Sequence, residues 1–289
     1  MSESSRSTII STAEAPSIGA DSFVSIIMPA FNESSVIADN LREVVATFDQ
    51  FGRPYEVILV DDGSPDNTYR AAGDVIREHP RHVRVVRYDV NKGKGNALTA
   101  GCAYARGTHV VFLDADMDLH PSQLPRFFEE MQNTGADAVI GSKRHPQSRV
   151  NYPVIRQIYS AVYYAMVRVL FGLRLRDTQT GLKLFTRDLL NDVLPRVLSK
   201  QFAFDIEVLA IAHRLGYKIV DAPVVLDFSR RKGRIGIKHI QRIFTDTVAI
   251  FYRLRICKYY DVVHQHQKFL QSHDTTREIN VSHDVNKSG

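Results

Sequence analysis

Short apolar runs that alternate with longer helical patterns limit the folds open to this chain more than any other feature of its sequence. Four runs, at residues 24–28, 55–60, 83–88 and 109–113, each end in polar residues or glycines before a helical pattern begins. Short buried strands that alternate with helices form a mostly parallel sheet with helices on both faces. We therefore predict an α/β fold, with a mostly parallel twisted sheet, flanking helices and a binding site beyond the carboxyl ends of the strands.

The second half of the chain is less regular, and the pattern divides the whole chain into four segments. After a fifth predicted strand, a long amphipathic helix is expected at residues 156–176. Both chain ends are polar and lack a hydrophobic period, so we expect them to be disordered. The predicted segments are a disordered tail at 1–22, an α/β domain at 23–228, a basic loop with an amphipathic interface helix at 229–261, and a disordered tail at 262–289.

Composition and the N-terminal pattern indicate the compartment. Cys102 and Cys257 are too few for a zinc cluster or a disulfide framework, which favours a reducing compartment. Residues 1–22 lack the basic start and apolar segment of a signal peptide, and no run of 18 apolar residues predicts a spanning helix. The net charge of +5 is small and no nucleic-acid-binding module is recognisable. We expect a cytoplasmic protein without a nucleic-acid partner.

Three carboxylates at alternate positions, Asp114, Asp116 and Asp118, follow the fourth predicted strand. Like charges repel each other unless a cation or a donor-rich ligand lies among them. Oxygen ligands suit Mg²⁺ or Mn²⁺, which usually share their coordination with substrate phosphates. The three residues therefore predict a metal site, with a polar turn that caps the next helix as the alternative.

Two other strand ends carry groups that suit a nucleotide. Asp61 and Asp62 can accept hydrogen bonds from a base or a ribose. In the loop at residues 91–95, glycines permit close backbone approach, while Lys92 and Lys94 supply positive charge ahead of a helix N-terminus. The loop lacks the ending of a Walker motif, and the first strand is not followed by a dinucleotide fingerprint. The sheet edge therefore predicts a nucleoside diphosphate bound with a metal.

Four ordered motifs resemble those of the inverting glycosyltransferases of family 2, which have the GT-A fold of nucleotide-diphospho-sugar transferases. They are SIIMPAFNE at residues 25–33, VDDGS at 60–64, NKGKG at 91–95 and DAD at 114–116. Within the family the chain is most similar to the polyprenyl-phosphate hexose synthases, the group of dolichol-phosphate mannose synthase, over roughly residues 23–245. This resemblance implies a metal-dependent inverting transfer of a hexose from a GDP- or UDP-sugar to a polyprenyl phosphate, with a β-linked product.

The resemblance also implies roles for individual residues. It implies catalytic roles for Asp116, Arg156 and Lys238, and metal ligation by Asp114 and Asp116. The family often has Gln at the position of Asp118. We include Asp118 as a further metal ligand. Binding of the acceptor phosphate is implied for Lys143, Arg144, Arg156 and Ser160. Binding of the nucleotide sugar is implied for Pro29, Phe31, Glu33, Asp61, Asp62, Lys92, Lys94, Asp114, Ala115, Asp116 and Arg231.

The nature of the acceptor leaves alternatives open. A hydroxyl acceptor needs a general base, whereas a phosphomonoester is already largely dianionic at pH 7 and needs only positive charge to hold it. Asp205 and Glu207 are either carboxylates on the acceptor side or an acidic pair at a helix N-terminus. The alternative functions are a family 2 transferase with a hydroxyl acceptor and a non-catalytic subunit that binds nucleotide sugars.

Two segments suggest contact with a membrane. Apolar residues recur at helical spacing over residues 155–170 with arginines at the edges, and residues 230–258 carry nine Lys and Arg against one Asp. The pattern fits an anionic membrane surface, or a solvated basic face over ordinary core packing. We expect a peripheral enzyme on the cytoplasmic face of a membrane, and either a membrane-protein partner or a homo-oligomer is compatible with this.

Overall fold

A computed structural model describes residues 22–148, 154–199, 201, 203–226, 237–261 and 277–278. For residues 154–160, 237–243, 261 and 277–278 we describe only the backbone. The strands are β1 (Val24–Ala30), β2 (Tyr55–Asp62), β3 (Val83–Tyr88), β4 (His109–Phe112), β5 (Ala138–Ser142), β6 (Lys183–Thr186), β7 (Ile219–Pro223) and β8 (Arg277–Glu278). The helices are α1 (Ile37–Phe51), α2 (Thr68–Glu78), α3 (Lys94–Tyr104), α4 (Leu124–Thr134), α5 (Val154–Phe171), α6 (Arg187–Val193), α7 (Phe204–Arg214) and α8 (Ile237–Phe251). Short 3-10 helices lie at Pro121–Gln123, Leu194–Arg196 and Tyr259–Asp261, and a π-helix at Tyr252–Ile256.

The strands form one mixed sheet in the order β7-β5-β6-β4-β1-β2-β3-β8. β1 lies between β2 and β4 and is parallel to both, and β3 is parallel to β2. β6 is antiparallel to β4 and to β5, whereas β7 pairs with β5 in the parallel sense. The predicted α/β fold with a mostly parallel sheet is confirmed, and β6 is an antiparallel strand that the pattern did not predict.

Helices cover both faces of the sheet and create two apolar cores. One core lies under α1, α2 and α4, and the other lies under α3, α6 and α7 together with α5 and α8. In α1, apolar residues at helical spacing, among them Leu41, Val44 and Phe48, are fully buried against the sheet. The helix ends at Gly52, whose left-handed φ of 70° suits glycine.

Hydrogen bonds hold the loops at the carboxyl edge of the sheet to each other. In the loop after β1, the N–H groups of Asn32, Glu33 and Ser34 donate at 3.0, 2.9 and 3.1 Å to side chains between the end of β2 and the first residue of α2. These loops carry the residues that were predicted to bind a nucleotide. The sheet edge is therefore a preassembled surface and not a set of independent loops.

The predicted tails lie largely outside the described residues. β8 lies within the second tail and pairs antiparallel with β3. The disorder expected for residues 1–22 and 262–289, and the domain boundaries, stay predictions.

Candidate active site

Asp114 lies just after β4, between the start of α3 and the loop that precedes β6. Its Oδ1 is 2.6 Å from Nζ of Lys94, the first residue of α3. On the other side the backbone of Gly181 approaches so closely that a Cβ there would lie 2.2 Å from Asp114 Oδ2. Burial alone would raise the pKa of Asp114, but the charges of Lys94, Lys183 and Lys143 hold the pKa below its usual value. Asp114 is therefore a charged carboxylate with a defined position.

Asp116 carries negative charge that is not fully compensated. Burial raises its pKa to about 6, with further contributions from the neighbouring Asp114 and Asp118. The turn folds back at Met117, which has a φ of 51°, so that the backbone N–H of Asp118 is 3.3 Å from Asp116 Oδ1. A cation beside Asp116 would lower this pKa, since it would offset the repulsion between the carboxylates.

The three carboxylates of the turn at residues 114–118 are the predicted metal ligands. Within the part of the chain that the structure describes, no group of three His, Cys, Asp or Glu side chains is placed to hold a metal ion. The charges of Asp114 and Asp118 both act on Asp116, and ligation of a metal by the three residues stays a prediction. Two carboxylates suffice for Mg²⁺ or Mn²⁺ when diphosphate oxygens and water complete the coordination. The ammonium group of Lys94 already places a cation on Asp114.

The two adjacent aspartates at the end of β2 have different roles. Asp62 uses both oxygens to hold the next loop, since Oδ1 accepts from Lys92 N at 2.8 Å and Oδ2 accepts from Gly93 N at 2.9 Å. The Oδ1 atom of Asp61 accepts from Ser64 N at 3.1 Å. The Oδ2 atom of Asp61 is buried and has no hydrogen-bond donor, although Nε of Arg87 lies 3.4 Å away. Of the pair, Asp61 retains an oxygen that a ligand can use.

The loop at residues 91–95 is packed against the end of β2. Gly63 has a φ of 68°, and a Cβ there would lie 2.6 Å from Asn91 N, so this contact requires glycine. Nζ of Lys92 lies 5.0 Å from the ring centre of Tyr88, in a cation–π contact. Lys94, by contrast, contacts Asp114. Lys92 and Lys94, for which the sequence predicted the same role, therefore have different partners.

The remaining residues predicted to bind the nucleotide sugar lie at the same edge. Pro29 is in the last part of β1, Phe31 follows the strand and is 42% exposed, and Glu33 begins the next turn. Ala115 is buried, and its carbonyl accepts a 2.7 Å hydrogen bond from Asn40 of α1. That bond attaches the turn at residues 114–118 to α1, which covers the other face of the sheet from α3.

The residues predicted to bind the acceptor phosphate lie partly within the described chain. Lys143 follows β5, and its N–H is 3.3 Å from Asp177 Oδ2. The guanidinium of the exposed Arg144 lies 5.0 Å from the ring centre of Tyr164 in α5. Arg156 and Ser160 lie in the first turns of α5 and Lys238 in the first turn of α8, where we describe only the backbone. Arg231 lies outside the described residues.

Lys183 is a charged residue of the site that the sequence analysis missed. It lies in β6, is only 1% exposed, and its Nζ donates to Asp205 Oδ1 at 2.7 Å and to the carbonyl of Thr180. Thr180 in turn donates to the carbonyl of Gly141. The sequence signal was a lysine between Leu182 and Leu184, which becomes informative only once β6 is recognised as a strand.

Asp205 and Glu207 lie in the first turn of α7, and both have partners within the protein. Asp205 is buried and forms the ion pair with Lys183. Glu207 is fully buried and accepts from the N–H groups of Leu198 and Ser199 at 3.2 and 2.6 Å. It also accepts from Arg253 at 3.1 Å and from the hydroxyl of Tyr260. Glu207 thus joins α7 to the C-terminal helices, and both carboxylates are engaged within the protein.

The chain is similar in sequence to several known proteins. Residues 25–194 match the protein family described as Glycosyl transferase family 2. The dolichyl-phosphate beta-glucosyltransferase ALG5A of Trichomonas vaginalis is 31% identical over 257 residues, which are 84% of this chain and 77% of that protein. Glycosyltransferase AglD of Haloferax volcanii is 31% identical over 203 residues, which cover 70% of this chain but only 32% of AglD.

A solved structure shows the same fold. Glucosyl-3-phosphoglycerate synthase from Mycobacterium tuberculosis, in complex with Mn²⁺, UDP-glucose and phosphoglyceric acid, superimposes with a TM-score of 0.60. The match covers 85% of this chain and 82% of the synthase, at 20% identity. The expected GT-A fold is confirmed. Among the residues that the structure describes, no helix is both long enough and apolar enough to cross a membrane.

Proposed function

This chain belongs to glycosyl transferase family 2, and from that premise we propose that it transfers a hexose from a nucleotide sugar to a polyprenyl phosphate. The observation that carries the choice of acceptor is the engagement of Asp205 and Glu207 in internal contacts. An acceptor hydroxyl would need a carboxylate that is free to remove its proton. A phosphate acceptor is already ionised and needs none. The similarity to a dolichyl-phosphate glucosyltransferase supports the same acceptor class.

The donor end would bind the nucleotide and stabilise its departure. Asp61 Oδ2 is suited to accept from an N–H of the base, because it is buried and lacks a donor. Asp114 and Asp116 would hold Mg²⁺ or Mn²⁺, which would neutralise charge on the leaving nucleoside diphosphate. Lys94 begins α3, where free backbone N–H groups also favour a phosphate.

The acceptor end would hold the lipid phosphate in line with the anomeric carbon. Lys143 and Arg144 follow β5, and Arg144 contacts α5, the helix that carries Arg156 and Ser160. Arg231 and Lys238 complete the proposed set of cationic residues. Direct attack by the phosphate oxygen breaks the bond to the nucleoside diphosphate and inverts the anomeric centre. An α-linked donor therefore gives a β-linked polyprenyl-phosphate sugar.

We also propose that the enzyme acts at the cytoplasmic face of a membrane, and contact with a membrane is supported by the apolar side chains that α5 and α8 leave in solvent. Along α8 and the π-helix, every fourth residue is between 45% and 62% exposed: Phe244, Val248, Tyr252 and Ile256. On α5, Val162 and Val169 lie two turns apart and are 61% and 81% exposed. The two helices pack together through Tyr163 and Thr247, whose hydroxyls are 3.1 Å apart.

The charges around this helix pair fit an anionic lipid surface. Arg168, Arg255 and Lys258 are exposed beside the apolar residues, and basic side chains near a membrane surface gain about 1 kcal/mol each from anionic lipids. Asp246 in the same region is half-buried. A peripheral arrangement would allow the lipid tail to stay in the bilayer while its phosphate reaches Arg144.

The reaction is tested by incubating the full chain with Mn²⁺ or Mg²⁺, a short polyprenyl phosphate and separate GDP- and UDP-sugars. We expect sugar in the organic phase with one donor, and loss of this product in Asp116→Asn and in Arg156→Ala. Asp39→Asn is the matched control, because Asp39 is exposed on α1 and makes a 3.5 Å surface contact with Arg42. Nucleotide release with a hydroxyl acceptor instead would favour the alternative transferase. Nucleotide binding without turnover would favour a non-catalytic subunit.

The membrane face is tested by sedimentation with vesicles of phosphatidylcholine and phosphatidylserine. Replacing Phe244, Val248 and Tyr252 together by Ser should weaken vesicle binding by about tenfold or more, since each apolar side chain buried in lipid contributes on the order of 1 kcal/mol. Val225→Ser with Leu215→Ser removes exposed apolar residues elsewhere and should leave vesicle binding unchanged. Equal binding by both variants would show that α8 is not the docking face.

A further inference from the structure

The contact between Lys94 and Asp114 occupies one of the two carboxylates that would hold the metal. Nζ of Lys94 is 2.6 Å from Asp114 Oδ1, a distance typical of a charge-assisted hydrogen bond. An ammonium group and a divalent ion repel each other, so the presence of Lys94 at this carboxylate disfavours the binding of a metal to it. Metal binding at Asp114 is therefore favoured when Lys94 moves to another anionic partner.

Lys94 forms its ion pair with Asp114, although the charges of Asp205 and Asp116 also act on it. Its neighbour Lys183 is a like charge that lies close enough to influence it, and Asp205 already pairs with Lys183 at 2.7 Å. Lys183 is almost completely buried and held by Thr180 as well, so this second pair is fixed. The side chain of Lys94 is 27% exposed and that of Asp114 is 35% exposed, so a ligand can reach both.

We propose that Lys94 is the resident counter-cation of Asp114 and couples the binding of the divalent metal to the binding of the nucleoside diphosphate. When the diphosphate binds, Lys94 exchanges the carboxylate for a phosphate oxygen, and Asp114 becomes available to the metal. Metal alone must bind Asp114 against the charge of Lys94 and therefore binds weakly. This inference rests on the proposed function, since it assumes that the site binds a nucleotide with a metal.

The coupling has a reciprocal consequence. If the diphosphate raises the affinity for the metal by some factor, the metal raises the affinity for the diphosphate by the same factor. Removing the ammonium group should strengthen the binding of metal alone, because Asp114 is then unpaired. It should also reduce the coupling factor, because the exchange of partners no longer takes place.

The test measures Mn²⁺ binding by titration calorimetry and by the electron paramagnetic resonance signal of free Mn²⁺, with and without the diphosphate of the preferred donor. We expect Lys94→Met to bind Mn²⁺ alone at least about fivefold tighter than the wild type, a factor in the range typical of coupled sites. Added nucleotide should increase the Mn²⁺ affinity of this variant less than it increases that of the wild type. Lys94→Arg keeps the charge and should behave as the wild type. Lys92→Met removes a lysine of the same loop that contacts Tyr88, and controls for net charge in the titration of Mn²⁺ without nucleotide.

The outcomes separate this inference from the proposed function. Unchanged or weaker binding of Mn²⁺ alone by Lys94→Met, in a variant that unfolds at the wild-type temperature, would overturn the role of Lys94. If Lys92→Met showed an equal increase in affinity for Mn²⁺ alone, the effect would be due to net charge, and the proposed role of Lys94 would also be overturned. Failure of the wild type to bind nucleotide under any condition would overturn the proposed function, and with it the coupling.

Discussion

At the scale of single residues, Gly181 is the position where one methyl group decides the geometry of the site. A Cβ there would lie 2.2 Å from Oδ2 and 2.5 Å from Cγ of Asp114, so the carboxylate must move. We expect Gly181→Ala to lower kcat by about 100-fold, the usual consequence of moving a catalytic group by about 1 Å. The melting temperature should change little, because the displaced group is partly exposed. Steady-state kinetics and thermal unfolding of the same sample check this.

Gly73→Ala is the matched control for that substitution. Gly73 lies in α2, and a Cβ there would meet Arg77 at an ordinary 3.6 Å. Replacing a helical glycine by alanine should stabilise the protein by about 0.5–1 kcal/mol without changing kcat. If Gly181→Ala retained full activity, the position of Asp114 would not matter for turnover.

Glu56 is a residue whose contribution depends on pH and not on catalysis. It is 1% exposed at the start of β2, accepts from Ser25 Oγ and from Arg106 N at 2.7 Å, and pairs with Arg84 at 2.7 Å. Burial alone would raise its pKa, but these hydrogen bonds and the nearby arginines lower the pKa below the usual 4.5. A lowered folded-state pKa means that the stabilisation is present above about pH 4.5 and is lost as pH falls through the folded-state pKa.

Glu56→Gln should therefore lower the free energy of unfolding by about 2 kcal/mol at pH 7, a value discounted because both arginines reach solvent. The difference from the wild type should shrink as the pH falls below 4.5 and through the lowered folded-state pKa, where the wild-type carboxyl becomes protonated. Urea unfolding at pH 7 and at a series of acidic pH values measures this, and kcat should be unaffected because Glu56 lies at the opposite edge of the sheet. A difference that is independent of pH would contradict the assigned charge state.

At the scale of elements, the C-terminal helices depend on one buried carboxylate of α7. Tyr260 is 1% exposed, donates to Glu207 and accepts from Arg253 Nε at 2.8 Å. We expect Tyr260→Phe to lower the free energy of unfolding by about 2 kcal/mol, the usual loss for a hydrogen bond to a charged group. Amide hydrogen exchange should accelerate over residues 252–260 and stay unchanged in β1 and β2. Tyr164→Phe removes a 3.4 Å contact with Arg168 and serves as the control.

The sequence predicted the elements of the first half of the chain well, where strand and helix patterns alternate regularly. β3 has the predicted bounds, and the predicted carboxylates lie at the ends of β2 and β4. β6 was missed because its four residues, one of them the charged Lys183, are too few to show a period. The separate roles of Asp61 and Asp62 could not be predicted either, because they depend on loop contacts with residues 92 and 93 that are distant in the sequence.

At the scale of the whole molecule, a bound donor should stabilise the fold, because the site is made from loops of four strands. A ligand at a hundred times its Kd adds about 2.7 kcal/mol to the free energy of unfolding. For a chain of this size, that corresponds to an increase of roughly 5 °C in the melting temperature. We expect this increase in Tm with nucleoside diphosphate plus Mn²⁺, and its loss when a chelator removes the metal. Asp116→Asn should lose the metal-dependent part, whereas Asp39→Asn should keep it.

The position of β6 has a consequence for the synthesis of the chain. β5 reaches the rest of the sheet only through β6, although β5 precedes β6 by some forty residues. On the ribosome, β1 to β4 can pair as soon as they emerge, but β4 then remains an open edge until residues 183–186 are translated. Unpaired strand edges attract foreign strands. During that interval the open β4 edge exposes the nascent protein to aggregation.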